Sequence, residues 1–153
     1  MDEIDKKILA LLQKDASLSV ADIADRVGLS ATPCWRRIQK LERNGVIRRR
    51  VAVLDPVKLN VGTTVFVSIK TQQHNAEWLD RFATALDAIP EVVDFYRMSG
   101  EIDYLLRLVV PDIAAYDDVY KRLIAVGGLS DVTSTFVMEE IKHTTALPLS
   151  YVR

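Results

Sequence analysis

The chain has 153 residues, 49% hydrophobic and 27% charged, a globular balance that excludes a disordered or fibrous protein. No apolar run approaches the roughly 18 residues of a membrane span, the MDEIDKK start lacks the apolar core of a secretory signal, and the single Cys34 permits neither an intramolecular disulfide nor a thiolate zinc cluster. A cytoplasmic chain with no membrane attachment, metal or cofactor is expected, and the net charge of −1 conceals a basic front (12 Lys+Arg against 8 Asp+Glu in residues 1–60) and an acidic remainder (8 against 13).

Asp2 is placed to cap a first helix whose apolar residues Ile4, Ile8, Leu11 and Leu12 recur at helical spacing, ending near Asp15. Ser19 caps a second, short helix with Asp22 in its first turn and Val20, Ile23, Ala24 and Val27 as its buried stripe; Gly28 stops it. Ser30 then caps a third helix, with Pro33 in its first turn and Ile38 and Leu41 facing inward, closed by Asn44-Gly45. Val46, Ile47 and the following VAVLD read as short extended segments, a small wing. Two short helices joined by a tight glycine turn and braced by a first helix make a helix-turn-helix domain, residues 1–50.

Residues 51–62, containing DPVKLN, form the linker. From Thr63 the pattern changes: Val65, Val67 and Ile69 mark a strand; Leu79, Phe82, Leu86 and Ile89 a helix begun by Asn75; VVDFYRM and DYLLRLVV two strands around Ser99-Gly100-Glu101. Asp112 caps a helix carrying Ile113, Tyr116, Tyr120, Leu123 and Ile124, Gly127-Gly128 ends it, and TSTFVMEEIKHT is the last strand. The order β-α-β-β-α-β predicts a ferredoxin-like sandwich over residues 63–153, hence an α+β protein of two domains. Two helices cover one sheet face; Leu105 and Val109 make the other apolar as well, which predicts self-association to at least a dimer.

Arg36, Arg37, Lys40, Arg43, Arg48, Arg49 and Arg50 fall within 15 positions opposed only by Glu42. The bland reading of a charge run is a solvated face. Here the run begins on the helix that enters a major groove in a helix-turn-helix, so double-stranded DNA is the expected partner. Ser30, Thr32 and Pro33 open that helix, where hydroxyls and free N–H groups meet phosphate; Arg36, Arg37 and Lys40 suit phosphates or guanine edges, and Arg48, Arg49 and Arg50 flank the duplex. Trp35 either packs beside the core or touches the DNA backbone, packing being favoured, and Cys34 is expected half-buried. His74 and His143 have neither a second nearby His nor a Cys pair, and nothing resembles a catalytic constellation. SGEIDY is a plain hairpin turn by spacing alone. Taken with Thr133, Ser134 and Thr135, it can also place a carboxylate and hydroxyls at one end of the sheet, a set suited to a free amino acid.

IDKKILALLQKDA, ADIADRVGLSATPCWRRIQKLERNGVI, VLDPVKLN, SGEIDYLLRLVV and GLSDVTSTFVMEEIK resemble the Lrp/AsnC (feast/famine) transcription regulators along essentially the whole chain. The resemblance implies an N-terminal helix-turn-helix, a ferredoxin-like effector domain, dimers assembling to octamers, and regulation by a small amino acid held between sheet domains. By motif it assigns the effector to Met98, Gly100, Asp103, Tyr104, Thr133, Ser134 and Thr135. TPCWRRIQKLE, IKTQQHNAEWLDRF, RMSGEIDYL and SDVTSTFVMEEIKHTT look like its cysteine-responsive DecR-type branch, which makes cysteine the first expectation. Two alternatives are a ligand-independent protein that coats DNA and, on the same layout, a sirohaem-decarboxylase-like enzyme, for which the chain supplies only two histidines. Asn60 stands where the family often has Gly or Asp.

Overall fold

The computed structural model describes Met1–Val152 as two compact units, one formed by Met1–Val53 with the stretch that begins at Ile141, the other by Leu54–Glu140. The boundary differs from the expected 63–153 domain because the C-terminal stretch returns to the first unit. There the Gln13 side-chain amide donates to the Leu147 carbonyl and accepts from the Leu147 N–H, both at 3.0 Å.

In the first unit, α1 (Glu3–Leu12) starts in a reciprocal cap: Asp2 accepts from the Asp5 N–H at 2.9 Å and Asp5 from the Asp2 N–H at 3.2 Å. Helix α2 (Val20–Val27) repeats the device with Ser19 and Asp22, then stops at Gly28, whose φ of 73° suits a residue without Cβ. Helix α3 (Ala31–Arg43) follows Ser30, which occupies the cap position but whose hydroxyl makes no cap bond. Ile8, Ile23, Cys34 and Ile38 interlock at the centre of the three helices, each fully buried aliphatic side chain contributing about 1.5–3 kcal/mol. Cys34 is wholly buried rather than half-buried; burial pushes its thiol pKa up, against the opposing charge of Arg37. The expected wing is not formed as strands: Val46 and Ile47 donate back to the Leu41 carbonyl, and residues 48–54 have no regular structure.

The second unit begins with a capped turn in which Asp55 accepts from Val57 and Lys58, and Asn60 takes a φ of 58°. Asn tolerates this left-handed conformation, so it serves where Gly or Asp would. Strands β1 (Thr63–Thr71), β2 (Val92–Arg97), β3 (Tyr104–Val110) and β4 (Leu129–Phe136) form one antiparallel sheet in the order β2-β3-β1-β4. Helices α4 (Ala76–Asp87) and α5 (Ile113–Ala125) cover one face, where Val65, Val67, Ile69, Leu106 and Leu108 meet Trp78, Phe82, Val119 and Leu123.

Three expectations are corrected here. Strand β4 begins at Leu129 and ends at Phe136, followed by one last cross-strand bond from the Val137 N–H to the Thr64 carbonyl, one residue short of the start of β1. Helix α5 buries Tyr116, Val119 and Leu123, the i, i+3, i+7 stripe, and leaves Ile113 at 70% and Ile124 at 45% exposure. The second sheet face is mixed rather than apolar throughout: Phe66, Leu105 and Val109 alternate with Ser68, Lys70 and an Asp94–Arg107 ion pair.

Candidate nucleic-acid interface and effector pocket

On α3 the buried residues Cys34, Ile38 and Leu41 fix which side faces out. Thr32, Arg36, Lys40 and Arg43 then line up on the exposed side at spacings of four, four and three, with Pro33 and Ser30 exposed at its start. Ser30 makes no side-chain cap, Pro33 has no N–H and the Cys34 N–H is taken by the Ser30 carbonyl, so the Ala31 and Thr32 amides are the ones at the start of α3 open to an outside acceptor such as phosphate. Arg36, Lys40, Arg48 and Arg49 are exposed and have no carboxylate partner among the described residues. Trp35 is 51% exposed on the same helix, against the expectation that it packs.

Two of the expected DNA contacts are otherwise engaged. The Arg37 guanidinium lies 2.6 Å from Asp2 and 2.7 Å from Asp5, so its charge is spent on the start of α1, while Arg50 pairs with Glu42 at 3.0 Å. The Asp5 N–H first, and the Arg37 side chain second, hold the Asp2 carboxyl below the usual carboxylate range. No sequence signal distinguished Arg36 from Arg37; their neighbours in space do.

In the second unit, Met98, Asp103 and Tyr104 converge on a cavity of about 320 Å³ with His74, Asn75, Ala76, Leu79 and Arg97. Gly100, at φ 126°, lets the β2–β3 turn close, and the Met98 N–H then donates to the Asp103 carbonyl at 2.8 Å. Asp103 Oδ2 accepts from the Thr71 N–H at 2.8 Å, which fixes the carboxylate at the end of β1. Asn75 caps α4 by accepting from the Trp78 N–H at 2.8 Å. The cavity thus holds one guanidinium, one carboxylate and an imidazole beside Leu79, Met98 and the Tyr104 ring, a set that matches a small zwitterion with a compact side chain. His74, Leu79 and Arg97 were missed by sequence reasoning, since they lie on a loop, a helix and a strand that only the fold brings together.

The remaining expected effector residues do not line this cavity. Thr133 and Thr135 stand opposite Ser68 and Phe66 on the uncovered sheet face. Ser134 points the other way, under α5, where it is hydrogen-bonded to the Tyr116 hydroxyl. Burial first pushes the Tyr116 pKa up and the Ser134 bond partly offsets it, which marks the pair as core.

The profile of the winged helix-turn-helix DNA-binding domain matches residues 1–48, and that of the Lrp/AsnC ligand binding domain matches residues 64–147. The chain belongs to the Lrp/AsnC family. It is 53% identical over 150 residues to the DNA-binding transcriptional activator DecR of Escherichia coli (strain K12), covering 97% of this chain and 99% of that protein. It is also similar to an AsnC family transcriptional regulator from Agrobacterium tumefaciens (64% identity, TM-score 0.96, all of both chains). A transcriptional regulator from Neisseria meningitidis, solved as a complex with L-Met, superposes with a TM-score of 0.94 at 36% identity over 100% of this chain and 99% of that one. As a Lrp/AsnC protein this chain is a DNA-binding transcriptional regulator, not an enzyme, with the DecR-type branch supported by its relatives. Among the described residues no helix is long and apolar enough to cross a membrane.

Proposed function

We propose that this regulator acts in the cytoplasm as a homo-oligomer whose DNA binding is set by a small amino acid, cysteine first, held at the Arg97–Asp103 cavity. The observation that carries the reading is a cation and a carboxylate lining one small space: the effector carboxylate pairs with Arg97 and its ammonium with Asp103. The L-Met complex of the Neisseria relative and the cysteine-responsive branch that the sequence resembles both favour a sulfur-bearing side chain. Thr133 and Thr135 present hydroxyls on the uncovered sheet face, which a second subunit covers, in dimers and from them octamers. On DNA, Thr32, Arg36 and Lys40 enter the groove while Arg48 and Arg49, which have no carboxylate partner among the described residues, flank it on phosphates.

Thermal-shift titration with each of the twenty amino acids tests the effector half, since a ligand that binds only the folded state raises its stability. Cysteine is expected to give the largest rise. No rise with any amino acid, together with salt-dependent DNA binding, would leave the ligand-independent coating protein as the reading.

A further inference from the structure

We propose that Gln13 and the C-terminal segment it clasps are a brace that holds Arg48 and Arg49 in position for DNA. The inference rests on the reading that these arginines contact phosphates.

Residues 48–54 lack regular structure and, among the described residues, donate no backbone hydrogen bond of their own to other backbone groups. Something else must fix the course of a segment carrying three adjacent arginines. The neighbours are known: Arg48, Arg49, Arg50 and Val51 line one wall of a cavity of about 550 Å³, Leu9 and Leu12 of α1 another, and Leu147, Pro148, Leu149 and Val152 a third. The C-terminal wall stays in place by two means. The primary amide of Gln13 matches the Leu147 peptide as a neighbouring strand would, donating to its carbonyl and accepting from its N–H, each at 3.0 Å. Leu149 then packs against the three-helix core, at the start of a single 3-10 turn, Leu149–Tyr151. Without that wall Arg48 and Arg49 would lie against α1, tethered only by the Ile47 N–H bond to Leu41 before them and the Arg50–Glu42 ion pair after them, and ordering them on DNA would cost conformational entropy at the moment of binding.

The matched profiles end at residues 48 and 147, so Leu149 and Val152 lie beyond both. Gln13 sits at the C-cap of α1, remote in sequence from the arginines, and acts on DNA only through the segment it holds.

The test uses the full chain with Gln13→Ala, Gln13→Glu and Arg48→Ala/Arg49→Ala, read two ways: the rate of trypsin cleavage after Arg48, Arg49 and Arg50, mapped by mass spectrometry, and the slope of log affinity against log salt on DNA. Gln13→Ala is expected to speed cleavage about threefold or more and to flatten the slope by about one unit, as if one phosphate contact were lost. Gln13→Glu accepts but cannot donate, and should fall between the two. Arg48→Ala/Arg49→Ala should flatten the slope by about two units. Wild-type cleavage in Gln13→Ala would show that no brace exists. Faster cleavage with an unchanged slope, while the arginine variant flattens it, would overturn the positioning role. An unchanged slope in the arginine variant itself would instead remove the DNA reading of these arginines, and the inference with it.

Discussion

The Arg37 guanidinium lies 2.7 Å from the Asp5 carboxylate, joining helix α3 to the capping box of α1. Arg37 is a third exposed, so the pair is partly screened and Arg37→Ala should lower the melting temperature by no more than about 5 °C. The acid limb carries more information. Asp2, Asp15 and Asp22 have folded pKa values below the usual carboxylate range, chiefly through hydrogen bonds from Asp5, Ser17 and Ser19 respectively. A depressed folded pKa means that the unfolded chain binds the proton first, so this stabilisation is complete above about pH 5 and is lost as pH falls through the unfolded and then the lower folded values. Circular-dichroism melts from pH 7 downward should be flat until about pH 5, then fall; in Arg37→Ala the decline below pH 4 should be shallower. An identical acid limb in the variant would contradict the pairing.

Arg36, one residue earlier, has no carboxylate partner among the described residues and stands on the exposed row with Thr32 and Lys40. Arg36→Ala should leave the melting curve unchanged and weaken DNA binding by about 1–3 kcal/mol if it reads a base, or flatten the salt dependence by about one unit if it meets a phosphate. Fluorescence anisotropy at several salt concentrations separates the two. Wild-type affinity and slope would exclude Arg36 from the interface.

The chain has two tryptophans, of which Trp78 is buried and Trp35 half-exposed beside Arg36. Acrylamide should therefore quench about half of the emission of the free protein, and promoter DNA should protect that accessible fraction. Unaltered quenching in the complex would mean that DNA leaves this side of α3 open.

Asp103 has two duties, since it lines the cavity while one of its carboxylate oxygens accepts from the Thr71 N–H. Asp103→Asn keeps an acceptor for that amide but removes the charge, so it should melt near wild type and lose the effector-induced thermal shift. Asp103→Ala should lose both, with a stability deficit of about 1–3 kcal/mol for the buried amide left without a partner. A full effector shift in Asp103→Asn would move the ammonium site elsewhere.

Gly128 has a φ of 77°, and a Cβ there would lie 2.5 Å from Trp78 Nε1. The indole N–H donates to the neighbouring Gly127 carbonyl at 3.2 Å and cannot shift without losing that bond. Gly128→Ala should destabilise the effector domain by about 1–3 kcal/mol, seen in denaturant melts followed by Trp78 fluorescence. A melt unchanged from wild type would mean that the Trp78 ring has room to move.

Much of this protein was legible in its sequence, because local rules wrote it. Asp2, Ser19, Asn75 and Asp112 announce helix starts, and each side chain accepts from a first-turn amide as such residues should. The alternation of Val65, Val67 and Ile69 marked a strand, though not which sheet face the helices cover, and the charge run pointed to the partner class. These signals depend on residues a few positions apart, where the backbone alone sets the geometry.

Only the tertiary structure decided which charges remain free. Arg36 and Arg37 are chemically identical neighbours, and what separates them is that Asp2 and Asp5 lie across from one and not the other. The same holds for Arg97 and Asp103 lining one cavity with His74 and Leu79, and for Gln13 meeting Leu147 across 134 positions. Electrostatic and hydrogen-bond partners are chosen by distance in space, which periodicity along the chain does not encode.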